Sequence, residues 1–255
     1  MLAGCAVSQQ QEVDIGASNA AQIDTMLPLI HDAAINSYIN SLGNKLAKAT
    51  DTRNLTWHFT VVDSKEVNAF AIPGGWIYVN RGLIERAQNM SEVAGVLGHE
   101  IGHVTLRHTV QQMQQQQAVG GGEVIACTLT KVCTGAVGSA VDVANSALFA
   151  KFSRTDEAEA DAQAVPTTVK AGIDPHGIPD MFRILLDERK TNPSAVDAFF
   201  ASHPLEEDRI QATTDLIAKY PANKLKGLTK DTPEFQDFRK RLMALPPSPT
   251  PKAGQ

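Results

Sequence analysis

Residues 96–108 read VLGHEIGHVTLRH, two histidines four apart with a glutamate directly after the first. A step of four residues turns a helix about 40° past one full turn, so His99 and His103 share a face and both imidazoles can reach one cation. Glu100 stands beside them, placed to act on a water held by that cation. This H-E-x-x-H spacing is the one with which a helix grips zinc and supplies a base for bond hydrolysis. The bland alternative is a pair of partly exposed histidines on an amphipathic helix. Residue type, spacing and helical context together favour the metal.

A catalytic zinc takes three protein ligands and keeps a fourth position open. The third ligand should be a His, Glu or Asp from another element. The segment FSRTDEAEAD, residues 152–161, offers Glu157, Glu159 and Asp161 at the opening of a predicted helix. Glu157 and Asp161 are four apart and can both face the first helix. Glu157 can bind the metal while Asp161 accepts the free N–H of a ligand histidine, fixing its ring. Glu159 is offset from Glu157 by about 200° and should point elsewhere. The same run reads equally well as a solvated helix start, where acids meet the positive end of the dipole.

These residues need elements to hold them. Val93, Ala94, Val96, Leu97, Ile101 and Val104 predict a helix over about 91–115, opened by Ser91 and closed by QQMQQQQ and Gly120-Gly121-Gly122. Gly95, Gly98 and Gly102 each weaken it by up to about 1 kcal/mol relative to alanine. Three such residues on one helix imply that another backbone, or a substrate strand, packs close. Upstream, Ile35, Tyr38, Ile39, Leu42 and Leu46 make the stretch 21–50 helical. Residues 57–80 alternate in three runs separated by Asp63-Ser64 and Pro73-Gly74-Gly75, which predicts a three-stranded antiparallel meander. Residues 118–150, rich in Gly, Ala and Val, read as a loop with a short helix. Further helices are expected near 155–172, 175–190, 206–219 and 232–244. The fold class is therefore α+β, mainly helical. Residues 1–20 are expected to be a polar tether, 21–245 a single domain, and 246–255 a disordered Pro-rich tail.

The chain has 255 residues, 43% hydrophobic and 20% charged, enough for a sizeable core. A net charge of -5 lacks the basic stripe of a nucleic-acid binder. No apolar run is long enough to span a bilayer, since the longest candidate, around 132–150, is broken by Asp142. Near the start stands Leu-Ala-Gly-Cys, the pattern of a bacterial lipoprotein cleavage site, with Cys5 as the lipidated residue. The basic start and apolar run of an export signal are missing ahead of it, so the chain is expected to be trimmed there. Ala6 after that cysteine, rather than Asp, implies sorting to the outer membrane, facing the periplasm. Cys127 and Cys133 then form an even pair that an oxidising compartment can bond; the alternative is two buried thiols.

Four segments in order, NAFAIPGGWIYVNRGLI, VLGHEIGHV, SRTDEAEAD and SHPLEEDRI, resemble the HtpX-like and Oma-like zinc metallopeptidases, over roughly residues 20–220. The chain looks like a periplasmic lipoprotein member of that gluzincin family. The resemblance implies a zincin fold with the sheet packed on the H-E-x-x-H helix. It implies one zinc held by His99, His103 and Glu157, with Glu100 catalytic and Asp161 in support. The family's His-Pro motif falls on His203-Pro204, with Arg209 following. His203 would stabilise the oxyanion or cover the open metal position at rest. Asn68, Ala69, Phe70 and Ala71 resemble the family's substrate-binding edge strand, which an extended peptide can join through backbone hydrogen bonds. The implied activity is hydrolysis of peptide bonds in unfolded or misassembled envelope proteins. Two other readings stay open: a chaperone or assembly factor, working with outer-membrane protein assembly machinery over a masked zinc site, and a zinc hydrolase of a non-peptide bond.

Overall fold

A computed structural model describes residues 7–116, 151–204 and 207–249. The first helix, α1 (Gln9–Met26), begins inside the stretch expected to be a tether. Ser8 and Gln11 form a capping box at its start, satisfying two of the N–H groups a helix start leaves free. Ile15, Ala20 and Ile23 are buried along it, so residues 9–20 belong to the folded body. Their buried stripe is thin and set among amides, which is why the composition reads as a leash. Helix α2 (Ala33–Thr50) is a separate element, because Pro28 interrupts the chain and the Asp32 carboxylate accepts from the N–H groups of Ala34 and Ile35.

Three strands follow: β1 (His58–Val62), β2 (Ala69–Ile72) and β3 (Trp76–Asn80). The expected antiparallel meander is corrected to a mixed sheet of order β1-β3-β2. β3 is central, parallel to β1 with His58 opposite Trp76, and antiparallel to β2 with Ala69 opposite Val79. Only β2 and β3 form a true hairpin, through Gly74 and Gly75 at φ 82° and 102°, values that glycine alone adopts freely. The link from β1 to β2 instead crosses the end of β3, where Ser64 O accepts from Gly82 N. A Cβ at Gly82 would collide with Lys65 O, so that glycine admits the crossing.

After α3 (Arg81–Arg86) comes α4 (Met90–Thr105), capped by the Asn89 side chain rather than opened at Ser91. Every residue of α4 from Met90 to Val104 is buried, which makes it the central helix. It continues only to Thr105; Leu106 and Arg107 form a break, Arg107 sits at φ 62°, and α5 (His108–Gln116) runs off separately. The expected single helix over 91–115 is thus two. Next come α6 (Arg154–Lys170), begun by a Ser153–Asp156 capping box, and α7 (Gly177–Thr191). A short 3₁₀ turn (Pro193–Ala195), α8 (Asp197–Ser202), α9 (Glu207–Ala218), α10 (Ala222–Leu225) and α11 (Pro233–Met243) complete the described elements.

The α4 glycines mark close helix crossings. A Cβ at Gly95 would lie 3.0 Å from Ile178 Cα on α7, and one at Gly102 lies 3.1 Å from Ala160 Cα on α6. The close backbones are therefore those of helices. The sheet packs its Ala69, Ala71, Ile77 and Val79 face on α4 and α2, within the main core. Its Phe70, Ile72 and Tyr78 face is covered by Ala20 and Ile23 of α1.

Arg81 donates to Leu245 O and Pro246 O, and Ser248 to Asp63, so the first residues of the expected tail lie on the body. Residues 250–255 lie outside the described part, as do Cys5, Cys127, Cys133 and the whole stretch 118–150. No described helix is long and apolar enough to cross a membrane.

Candidate metal centre

His99 and His103 rise from one face of α4, buried at 3% and 1% exposure. Nδ1 of His99 stands 2.9 Å from Asp161 Oδ1 on α6. A carboxylate can only accept, so a neutral His99 carries its proton on Nδ1 and keeps a lone pair on Nε2. That Nε2 lies 3.0 Å from Nε2 of His103. Glu157, one turn before Asp161 on α6, brings Oε2 to 3.5 Å from His99 Nε2 and Oε1 to 3.3 Å from His103 Nε2. His203, at the end of α8, places Nδ1 2.9 Å from Glu157 Oε1 and 3.4 Å from His99 Nε2. One ligand atom from each of these four residues lies within 4.8 Å of the others, and all four are buried.

Arg209 on α9 ties the two acids of α6 together. Its Nε and Nη2 donate to Asp161 at 2.8 Å each, and its Nη1 to Glu157 Oε2 at 2.5 Å. Burial alone would raise the pKa of Glu157, but His203, His99 and His103 hold it far below the usual carboxylate range. Asp161 is likewise lowered: burial opposes this, and the hydrogen bond from His99 and the charge of Arg209 outweigh it. Burial keeps His103 neutral well below the usual imidazole range. His203 goes the other way, because Glu157 and Glu100 overcome its burial.

Glu100 is the odd member. It is fully buried, and burial raises its pKa. Neither of its oxygens has a hydrogen-bond partner among the described residues, and nor does Nε2 of His203, 3.5 Å from Glu100 Oε1. Buried polar atoms left unpaired are rare and costly. Three imidazoles and a carboxylate around two facing ring nitrogens, with an orphaned carboxylate beside them, fit a divalent cation and its water. This N/O donor set suits zinc.

The structure thus brings His99, Glu100, His103, Glu157, Asp161, His203 and Arg209 into one cluster. Glu159 is not one of the four residues whose ligand atoms cluster, and its half-exposed side chain instead reaches His108 Nε2 at 3.2 Å. Two neighbours were not singled out from the sequence. Phe152 stacks on the His103 ring at 3.8 Å between centroids, and His108 lies against its Nδ1 at 2.9 Å. Helical periodicity gave no signal for His108, because only the break at Arg107 turns it inward.

Ala69, Phe70 and Ala71 lie on β2, an outer strand that packs on α4, and Asn68 directly precedes it. Asn80 N donates to Asn68 O, which sets the pairing register, so Val67, Ala69 and Ala71, all buried, direct their backbone groups to the side of β2 away from β3. Val67 N is taken there by Ala195 O at 2.8 Å. The outward groups of Ala69 and Ala71 have no partner among the described residues.

The family model described as Peptidase family M48 matches residues 33–217. The chain is 31% identical over 231 residues to a protein of Vibrio cholerae named putative beta-barrel assembly-enhancing protease, covering 88% of this chain and 48% of that one. It is 34% identical over 179 residues to metalloprotease YcaL of Escherichia coli, 68% of each. It is 30% identical over 184 residues to metalloprotease LoiP of the same species, 70% of this chain and 68% of that one. The chain spans about half the length of the assembly-enhancing relatives it matches.

Proposed function

The chain belongs to peptidase family M48, and from that premise we propose that it is a zinc endopeptidase of the bacterial envelope, cutting unfolded or misassembled proteins. The observation that carries this reading is the meeting of His99, His103 and Glu157 beside the unpartnered Glu100 carboxylate. His99, His103 and Glu157 would hold the ion. Zinc bound there supplies a polarised scissile carbonyl and a water whose pKa falls towards about 7. Glu100 takes the proton of the attacking water on a side-chain oxygen and hands it to the leaving nitrogen. Its burial, which raises its affinity for protons, suits that shuttle. Asp161 and Arg209 fix the ring of His99 and the carboxylate of Glu157. The free groups of Ala69 and Ala71 would hold the substrate as an added strand.

Cys5 would anchor the protein to the outer membrane from the periplasmic side, and Cys127 with Cys133 would form a disulfide. The names of the assembly-enhancing relatives support substrates drawn from outer-membrane protein assembly. His203 favours a second reading at the same site. Fully buried, with Nδ1 2.9 Å from Glu157 Oε1 and 3.4 Å from His99 Nε2, it would cover the open metal position, as an assembly factor with a masked protease would require.

The test is digestion of casein by the purified chain, with and without a chelator, beside Glu100→Gln. The wild type should cut in a chelator-sensitive way. Glu100→Gln should keep its zinc and lose cleavage by about two orders of magnitude or more. Glu100→Gln cleaving at the wild-type rate would end the proposal, and intact casein bound by the wild type would favour the masked reading.

A further inference from the structure

His108 is 1% exposed, and no step of the proposed reaction uses it. In an unbroken helix it would stand five residues, about 140°, around from His103 and could not face it. The break after Thr105 changes that. Arg107 takes the left-handed conformation at φ 62°, unusual for a residue with a side chain. Glu12 of α1 accepts from its Nε at 2.7 Å, and Val7 O from its Nη2 at 2.6 Å. The turn so held starts α5 with His108 folded back under α4. There its Nδ1 lies 2.9 Å from Nδ1 of His103, and its Nε2 lies 3.2 Å from Glu159 Oε2.

The direction of this chain of hydrogen bonds follows from its outer end. Glu159 is a carboxylate and can only accept, so a neutral His108 carries its proton on Nε2 and a lone pair on Nδ1. That lone pair can only accept, so the proton of His103 goes to its Nδ1. Nε2 of His103 is then left bare, aimed at Nε2 of His99 3.0 Å away. Asp161 performs the same service for His99 directly. We infer that His108, backed by Glu159, is a positioning residue for the metal centre, accepting the Nδ1–H of His103 so that its Nε2 lone pair and ring plane are presented to the cation. Phe152, stacked on the His103 ring at 3.8 Å between centroids, helps to hold that plane.

The inference rests on reading the cluster as a zinc site, and one titration separates the two claims. Zinc affinity of the full chain is measured by competition with a chromogenic chelator, and the visible spectrum is recorded after cobalt substitution. The wild type should bind zinc tightly. His108→Ala should bind about 10- to 100-fold more weakly, with shifted cobalt bands, as loss of an outer partner of a ligand histidine does. His108→Gln, whose amide oxygen can accept the same N–H, should recover part of the loss. Glu159→Ala, at a side chain 56% exposed that folding tolerates, should weaken binding several-fold. An affinity within about twofold of wild type and an unchanged cobalt spectrum in His108→Ala would overturn the inference. Where that variant does not fold, the same result in Glu159→Ala overturns it. A lowered melting temperature with an unmoved spectrum would reduce His108 to a packing residue and overturn it too. A wild-type chain that binds no zinc removes the reading beneath it as well.

Discussion

Arg209 is the residue on which the charge balance of the site turns. Two carboxylates, Glu157 and Asp161, are fully or nearly fully buried on one helix turn, where each would be costly alone. The guanidinium reaches both from behind, while the histidines reach them from in front. The folded-state pKa of Asp161 is lowered, so its contribution to stability is present above the unfolded value near 4 and is lost as pH falls through the folded value. Removing Arg209 removes part of that depression. Arg209→Met in the chelated protein should cost about 3–5 kcal/mol near neutral pH, because it leaves buried carboxylates short of a partner. The cost should shrink in acid, where Asp161 takes up a proton, and the acid unfolding limb should begin at higher pH than in the wild type. Melting temperature against pH for both proteins measures this. Superimposed acid limbs would mean that the arginine does not set the ionisation of the pair.

At the scale of elements, the site is a meeting of α4, α6 and the end of α8, and its geometry depends on how closely the first two approach. Gly102 decides that distance: a Cβ there would stand 3.1 Å from both Cα and O of Ala160, between the turns that carry His103 and Glu157. Gly102→Val should therefore push α6 outward, destabilise the fold by about 1–3 kcal/mol through overpacking, and weaken metal binding before it unfolds the chain. Urea denaturation with metal analysis checks both parts; a valine variant with the wild-type metal content would show that α6 has room to give. Contacts of this kind also decide what a sequence discloses. The faces of α4 and α6 were legible, because a four-residue step puts His99 with His103 and Glu157 with Asp161 whatever surrounds them. The glycines announced a close backbone, though not which one. The parallel pairing of β1 with β3 was illegible, since alternation marks a strand and says nothing of its neighbour. The link over Gly82 that sends β2 to the far edge is a tertiary fact. His108 was hidden for the same reason: its place depends on one left-handed residue held by a helix read as a tether.

Across the whole molecule, that tether-turned-helix couples the start of the chain to the centre. α1 lies ahead of residues 33–217, the part shared with the family model, yet it covers one face of the sheet and reaches the C-terminal end of α4. Glu12, 1% exposed, is its clamp. One of its oxygens accepts from Arg53 at 2.8 Å and from Arg107 at 2.7 Å, and Arg53 also donates to Val104 O, next to His103. A carboxylate so buried is tolerable only with its partners in place, and the partners in turn hold the break that ends α4. Glu12→Ala should cost about 2 kcal/mol, below the full penalty for a broken buried pair because both arginines keep some contact with water. The loss should not be spread evenly. Amide hydrogen exchange should rise first in α1, across residues 104–108 and along the start of α5, while α7 and α11 stay protected, because the clamp touches the former group and not the latter. Protection lost uniformly, or lost from α1 alone with residues 104–108 unchanged, would show that the helix is a cover on the sheet with no hold on the metal-bearing end of α4.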